Sequence, residues 1–243
     1  MFQIERDYDL LLSIFPFEKA WYAARAPKFR VDFVGHPLFD VVGTPSGKDY
    51  SANTGPLMVL LPGSREGELR RHLPVMLDAM KQIHEKLPNA KAKMILPNET
   101  FMDLVKSFEP DCEIQIGNLA EALAQADAAI ASTGTVTVEC AVFGVPTVTL
   151  YKKALLGVAL RMGIIKSKWF AMPNIMAKEE VFPEFLQNAA TPENIANAAL
   201  DLLLNEPRRK LIKDKLVPIV ASLGGPGASR RAAQAITGLL ELK

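Results

Sequence analysis

The sequence predicts an α/β protein, a parallel sheet with helices on both faces and a helical carboxy-terminal end. Short apolar runs alternate with segments whose apolar residues recur at spacings of three and four. The runs are separated by lengths that suit crossover helices rather than hairpins. The third observation is bulk: 49% of the 243 residues are apolar, enough for a sizeable buried core.

Taken in order, "DLLLSIF" (9–15) reads as a strand, "FEKAWYAARA" after Pro16 as a short helix, and "FRVDFVGHP" as a strand stopped by Pro37. The stretch "GTPSGKDYSANTGP" is dense in Gly, Ser, Thr, Asn and Pro, and marks 43–56 as a linker. Residues 1–42 would then be the tail of one Rossmann-like domain and 57–243 a second. In the second, 57–61 is a strand, followed by a helix carrying Leu69, Leu73, Met76, Met80, Ile83 and Leu87. "AKMIL", "CEIQIG", "DAAIAST" and "PTVTLY" read as further strands, with "ETFMDLVKSF", "LAEALAQA" and "TVTVECAVFG" as the helices between them. Such alternation makes a Rossmann-like layer. Near the end, "TPENIANAALDLLLN" places Thr191 as N-cap and Pro192 at the first helical position, and Ser229 is a cap candidate for an alanine-rich final helix.

Charge excludes some functions. With 28 basic and 27 acidic residues the chain carries a net charge of +1, which argues against nucleic acid as a partner. Cys112 and Cys140 lie in apolar surroundings without metal-ligand spacing, and read as buried free thiols of a reducing compartment. The first residues lack the basic and apolar regions of a signal peptide, and no apolar run reaches the roughly 18 residues of a membrane span. A cytoplasmic location is the expectation.

Ligands of open parallel sheets sit beyond the carboxyl ends of the strands. Two stretches reach that position with suitable residues. In "VLLPGSREGEL", Gly63 and Ser64 permit close approach of a ligand to the backbone, and Arg65 offers a planar fork for phosphate or carboxylate. No Gly-Lys-Ser/Thr follows, so this is not a P-loop. Pro74 suggests that the regular helix begins some residues later, leaving Arg65 on a loop. In "ASTGTVTVE", Thr133, Gly134 and Thr135 join a strand end to a helix start, where N–H groups and hydroxyls favour an anion, and Glu139 follows about one turn on. The alternative at each stretch is an ordinary turn or N-cap. His36 reads as structural, His72 and His84 as helix-surface residues, and no cluster suggests a metal, so no cofactor is expected. From Tyr151 to Phe170, Lys152, Lys153, Arg161, Lys166 and Lys168 interleave with large apolar residues and Trp169. That mixture suits either a membrane-surface segment or a helix on the sheet with snorkelling lysines.

At these residues the chain resembles the lipid-A-disaccharide synthases, glycosyltransferases of the GT-B type. The resemblance is carried by "DLLLSIFPFEKAWY", "FVGHPLFD", "LLPGSREGELRRHLP", "STGTVTVE", "MPNIMA" with "EEVFPEFLQ", and "GGPGASRRAAQAI", in the family's order. It implies the donor-binding half of a GT-B fold. The reaction implied is hexosyl transfer from UDP-2,3-diacylglucosamine to 2,3-diacylglucosamine 1-phosphate (lipid X), with release of UDP. It further implies that Gly63, Ser64 and Arg65 lie near the diphosphate, that Thr133, Gly134 and Thr135 cradle phosphate, that Glu139 faces the ribose, and that Asn174 approaches the donor from the next loop. Contact of 151–170 with the inner membrane surface and a homo-oligomer are family-level expectations. Where the family usually has Gly-Arg-Glu, this chain reads Lys178-Glu179-Glu180. The family's glycine-rich amino-terminal stretch and its acceptor and acid-base segment precede the region matched from Met1, so the catalytic base is expected outside this chain. Alternatives from the same residues are a 2-epimerase-like UDP-sugar enzyme and a non-catalytic UDP-binding or membrane-associated fragment.

Overall fold

The computed structural model describes residues 2–42, 55–153 and 168–241. The chain divides into two compact units, one of residues 1–45 with 218–243, the other of 46–217. The last residues therefore group with the first ones, whereas the sequence reading assigned everything from 57 to 243 to one domain.

The first unit opens with α1 (Phe2–Asp7), β1 (Leu11–Ser13), α2 (Pro16–Ala23), β2 (Val31–Phe33) and α3 (Leu38–Val42). The strands pair in parallel, Leu11 opposite Val31, with α2 as their crossover. Pro16 starts α2 at the position where a missing N–H costs nothing, and the Glu18 carboxylate reaches back to the Phe15 N–H at 3.3 Å. Ala26, Phe29 and Val31 form a small core, with Ile4, Leu11 and Tyr22 against it.

The second unit contains β3 (Leu57–Leu61), α4 (Glu66–Lys86), β4 (Lys91–Leu96), α5 (Met102–Lys106), β5 (Glu113–Ile116), α6 (Leu119–Gln125), β6 (Ala128–Ser132), α7 (Val136–Val142), β7 (Thr147–Tyr151), α8 (Met172–Ala177), β8 (Glu184–Leu186) and α9 (Pro192–Leu204). The six strands form one sheet in the order β5-β4-β3-β6-β7-β8, every pair parallel. Its central strands are buried nearly end to end, as strands covered on both faces must be. The chain winds outward from β3 to one edge and returns to β6 to wind to the other. The switch point lies between β3 and β6, where Leu61 is level with Ala131.

The apolar stripe of α4 is the one its sequence predicts: Leu69, Leu73, Met76, Met80 and Ile83 are buried, and α9 packs along this helix. The helix differs from expectation at its start. It begins at Glu66 and runs through Pro74, which lies on the exposed face, as does Arg70, whose carbonyl loses its N–H partner to the proline. The Thr191 hydroxyl accepts the Asn194 N–H at 3.2 Å, capping α9 with Pro192 at its first position. β8 and α8 were not read from the sequence, being too short to show a period.

Helix α10 (Glu206–Ser222) leads back to the first unit, which α11 (Ala228–Leu240) completes. Gly224, Gly225 and Gly227 all take positive φ, so the chain coils tightly before α11. Inside this turn the Arg231 guanidinium donates to the carbonyls of Val34 (2.7 Å), Pro226 (2.8 Å), Gly225 (3.1 Å) and Gly224 (3.3 Å). Ser229 is not the cap expected of it. It lies within α11, and Asp40 accepts its N–H at 2.8 Å together with that of Gly227. The Ser229 N–H, followed by its hydroxyl and the Gly227 N–H, holds the Asp40 carboxyl down at about 2.

Candidate functional site

The loops after β3 and β6 face each other across a cleft of about 420 Å³. Gly63, Ser64, Arg65, Thr133, Gly134, Thr135 and Glu139 all line it. Leu96 at the end of β4 with Pro97 after it, and Gly117 and Leu119 after β5, close it on the side away from β6, where the sequence analysis places no site residues. The strand-end rule applied to those strands also would have found them.

Arg65 is the N-cap residue of α4, in extended conformation, with its side chain 79% exposed. It therefore sits at the positive end of a 21-residue helix instead of on a detached loop. Its Nη1 lies 3.1 Å from Glu68 Oε1, and the Ser64 N–H points to Glu68 Oε2 at 3.4 Å. Gly63 has φ +123°, and a Cβ there would meet Glu68 Oε2 at 2.7 Å. Glu68 is thus a cleft residue that the sequence analysis does not single out.

Behind this loop stands His72, fully buried where a surface position was expected. Its Nδ1 is 2.8 Å from the Pro62 carbonyl, and its Nε2 accepts the Lys152 N–H at 3.1 Å. The two contacts fix the neutral ring with its proton on Nδ1, and burial lowers its pKa from the ordinary 6.5. Arg71 Nε donates to the Lys152 carbonyl at 2.9 Å. His84 is half-buried against the Ala90 carbonyl. His36 is buried in the first unit; its Nδ1 accepts the Leu38 N–H, its Nε2 has no partner among the described residues, and burial lowers its pKa.

On the β6 side, Gly134 has φ +149° and only open space where a Cβ would stand, so ligand atoms can approach its peptide. The Thr137 hydroxyl donates to the Gly134 carbonyl at 2.6 Å and accepts the Met172 N–H at 3.2 Å, fixing the turn. Thr135 is exposed and makes no side-chain cap, which leaves its hydroxyl available. The Thr133 N–H is committed to the Leu150 carbonyl at 3.1 Å, so Thr133 can offer a ligand only its hydroxyl. Ser132, buried at the strand end, also lines the cleft. Glu139 is half-buried, and burial pushes its carboxyl above the ordinary 4.5.

Asn174 does not line the cleft, contrary to the resemblance. It is fully buried; Oδ1 accepts the N–H groups of Val181 (2.9 Å) and Phe182 (2.8 Å), while Nδ2 donates to the Phe182 carbonyl (2.9 Å) and Glu184 Oε2 (3.1 Å). All its hydrogen-bonding capacity is used inside the protein. The acid at Glu179 is answered by Lys215 of α10, 2.6 Å away. Burial holds the Cys112 thiol up at about 11 and that of fully buried Cys140 at about 12, although Cys112 is only half-buried. Among the described residues no group of acidic, His or Cys side chains is placed to hold a metal ion, and no helix is long and apolar enough to cross a membrane. Of the 151–170 stretch, 154–167, with Arg161 and Lys166, lies outside the described residues. At its ends Lys152 Nζ donates to the Ala190 carbonyl and Lys168 lies over the Trp169 ring.

The fold is shared with S. aureus MnaA, solved with UDP (TM-score 0.65, 12% identity, 99% of this chain and 63% of that one). It is shared as well with WaaG, a glycosyltransferase involved in lipopolysaccharide biosynthesis (TM-score 0.52, 15% identity, 94% and 62%). The class is the Rossmann-like α/β fold of GT-B glycosyltransferases. Within that class the chain belongs to the lipid-A-disaccharide synthetase family, LpxB, whose model matches residues 1–237. The lipid-A-disaccharide synthase of Syntrophus aciditrophicus (strain SB) is 37% identical over 238 residues, covering 93% of this chain and 61% of that protein. The chain thus spans less than two thirds of that relative's length.

Proposed function

We propose that the cleft binds the UDP moiety of a UDP-linked sugar, as the donor-binding portion of a lipid-A-disaccharide synthase. The substrates in this reading are UDP-2,3-diacylglucosamine and 2,3-diacylglucosamine 1-phosphate, with UDP as leaving group. Its main support is the meeting of Gly63-Ser64-Arg65 with Thr133-Gly134-Thr135 at the switch point of the sheet. Family membership supplies the chemistry.

Arg65 and the N–H groups around Gly134 neutralise the charge that builds on the departing diphosphate, a role that asks for no metal. Glu139 accepts hydrogen bonds from the ribose hydroxyls, and Leu96, Pro97 and Leu119 offer the uracil an apolar wall. The base that deprotonates the acceptor hydroxyl comes from the part of the full-length relatives that this chain does not span. Acylated substrates place the reaction at the inner membrane surface, with Lys153, Lys168 and Trp169 among the residues facing lipid; co-sedimentation with anionic liposomes that falls when Lys153 and Lys168 are neutralised is the expected outcome.

The test of the donor site is calorimetry. UDP should give saturable heat that weakens at least about tenfold in Arg65→Ala, the loss of a charge-assisted contact. Absence of heat at millimolar UDP overturns the reading.

A further inference from the structure

Two of the donors that a diphosphate could use on the β3 side, the Ser64 N–H and Nη1 of Arg65, already face one carboxylate. Glu68 Oε1 takes the Arg65 guanidinium at 3.1 Å, and Glu68 Oε2 takes the Ser64 N–H at 3.4 Å. That second oxygen also fills the space left by the missing side chain of Gly63. The Glu68 side chain is only 16% exposed and lines the cleft. Part of this is helix capping, since a glutamate in the third helical position commonly reaches back to satisfy an N–H ahead of the helix. Capping does not call for the pairing with Arg65, and a glutamine caps equally well. The two roles therefore separate by charge.

Charge also says what must happen when a ligand enters. Among the described lining residues the cleft has one cation, Arg65, and two carboxylates, Glu68 and Glu139. A diphosphate arriving beside an undisplaced Glu68 would meet repulsion and share the guanidinium with a carboxylate.

We propose that Glu68 is the resident anion of the cleft: it holds Ser64 and Arg65 in place while the site is empty, and the diphosphate group of a nucleoside diphosphate binds by displacing it. The inference rests on the UDP-binding reading and deepens it. Glu68 sets a threshold that only a ligand bringing its own strong negative charge to Ser64 and Arg65 overcomes. Once displaced, its carboxylate remains in the first turn of α4, where the helix end still favours it.

Calorimetry on the full chain with UDP, uridine and inorganic pyrophosphate tests this in wild type and Glu68→Gln. The expected result is about tenfold tighter UDP binding in Glu68→Gln, the effect of removing one like charge a few ångströms from the phosphate. Uridine affinity should be unchanged, and the UDP gain should vanish in an Arg65→Ala background. Glu68→Ala, which also loses the cap, should shift UDP affinity in the same direction despite a lower unfolding midpoint. Wild type that binds UDP alongside a Glu68→Gln protein that binds it equally or less tightly overturns the role of Glu68 and leaves the UDP site standing. If neither form binds UDP or pyrophosphate, both are overturned.

Discussion

Arg65 and Arg231 both stand in glycine-containing motifs of the family, yet they end in opposite states. Arg231 donates to four backbone carbonyls and clasps the turn before α11 to the end of β2. Arg65 extends into a cleft, 79% exposed, held by a single carboxylate. Asn174 sides with Arg231, because every polar atom of its side chain is matched within the protein. A polar residue within a family motif can therefore serve either fold or ligand. What separates the two is whether its hydrogen-bonding capacity is already full.

That distinction can be broken experimentally. The largest effect is expected for Asn174→Ala, which strands buried N–H groups at Val181 and Phe182 and should cost about 4 kcal/mol in urea unfolding, with UDP affinity unchanged. Intact stability with a lost UDP site would return Asn174 to the donor. Arg231→Ala should come next, about 2 to 3 kcal/mol, less than Asn174 because water can reach part of what it leaves. UDP binding that falls with it beyond about twofold would undo the contrast with Arg65. For Arg65→Ala the order is reversed: stability within about 0.5 kcal/mol of wild type, and UDP affinity down at least about tenfold.

The smallest effect concerns Glu139. Burial raises its pKa above 4.5, so the folded protein keeps a proton that the unfolded chain has lost, and stability declines as pH rises from 4.5 into the raised range. Glu139→Gln removes that decline. The variant should be more stable than wild type at pH 7 and equal to it at pH 4, read from unfolding curves at the two pH values.

Much of the cleft was legible because its location is dictated by topology. Strands separated by helices make a parallel sheet, and Gly63 to Arg65 and Thr133 to Thr135 come directly after two of its strands. Glu68 was not legible: three residues into a helix, an acid looks like a dipole partner until Gly63 is seen to make room for it. Nor was the cap of α11, since Asp40 is 189 residues from Ser229 and outcompetes the local serine. His72 looked like a surface residue because its period on α4 borders the apolar stripe; its burial depends on Pro62 and Lys152, contributed by two different loops.

By itself the sequence determined the periodic elements and the loops at the strand ends, because burying apolar faces and turning the chain are local requirements. The strand order that puts the switch point between β3 and β6 came with the tertiary pairing. Only the tertiary structure decided which polar side chains were left open to a ligand. A hydrogen bond has a definite partner, and for Arg231, Asn174 and Glu68 that partner is known only once distant or adjoining segments have been brought together.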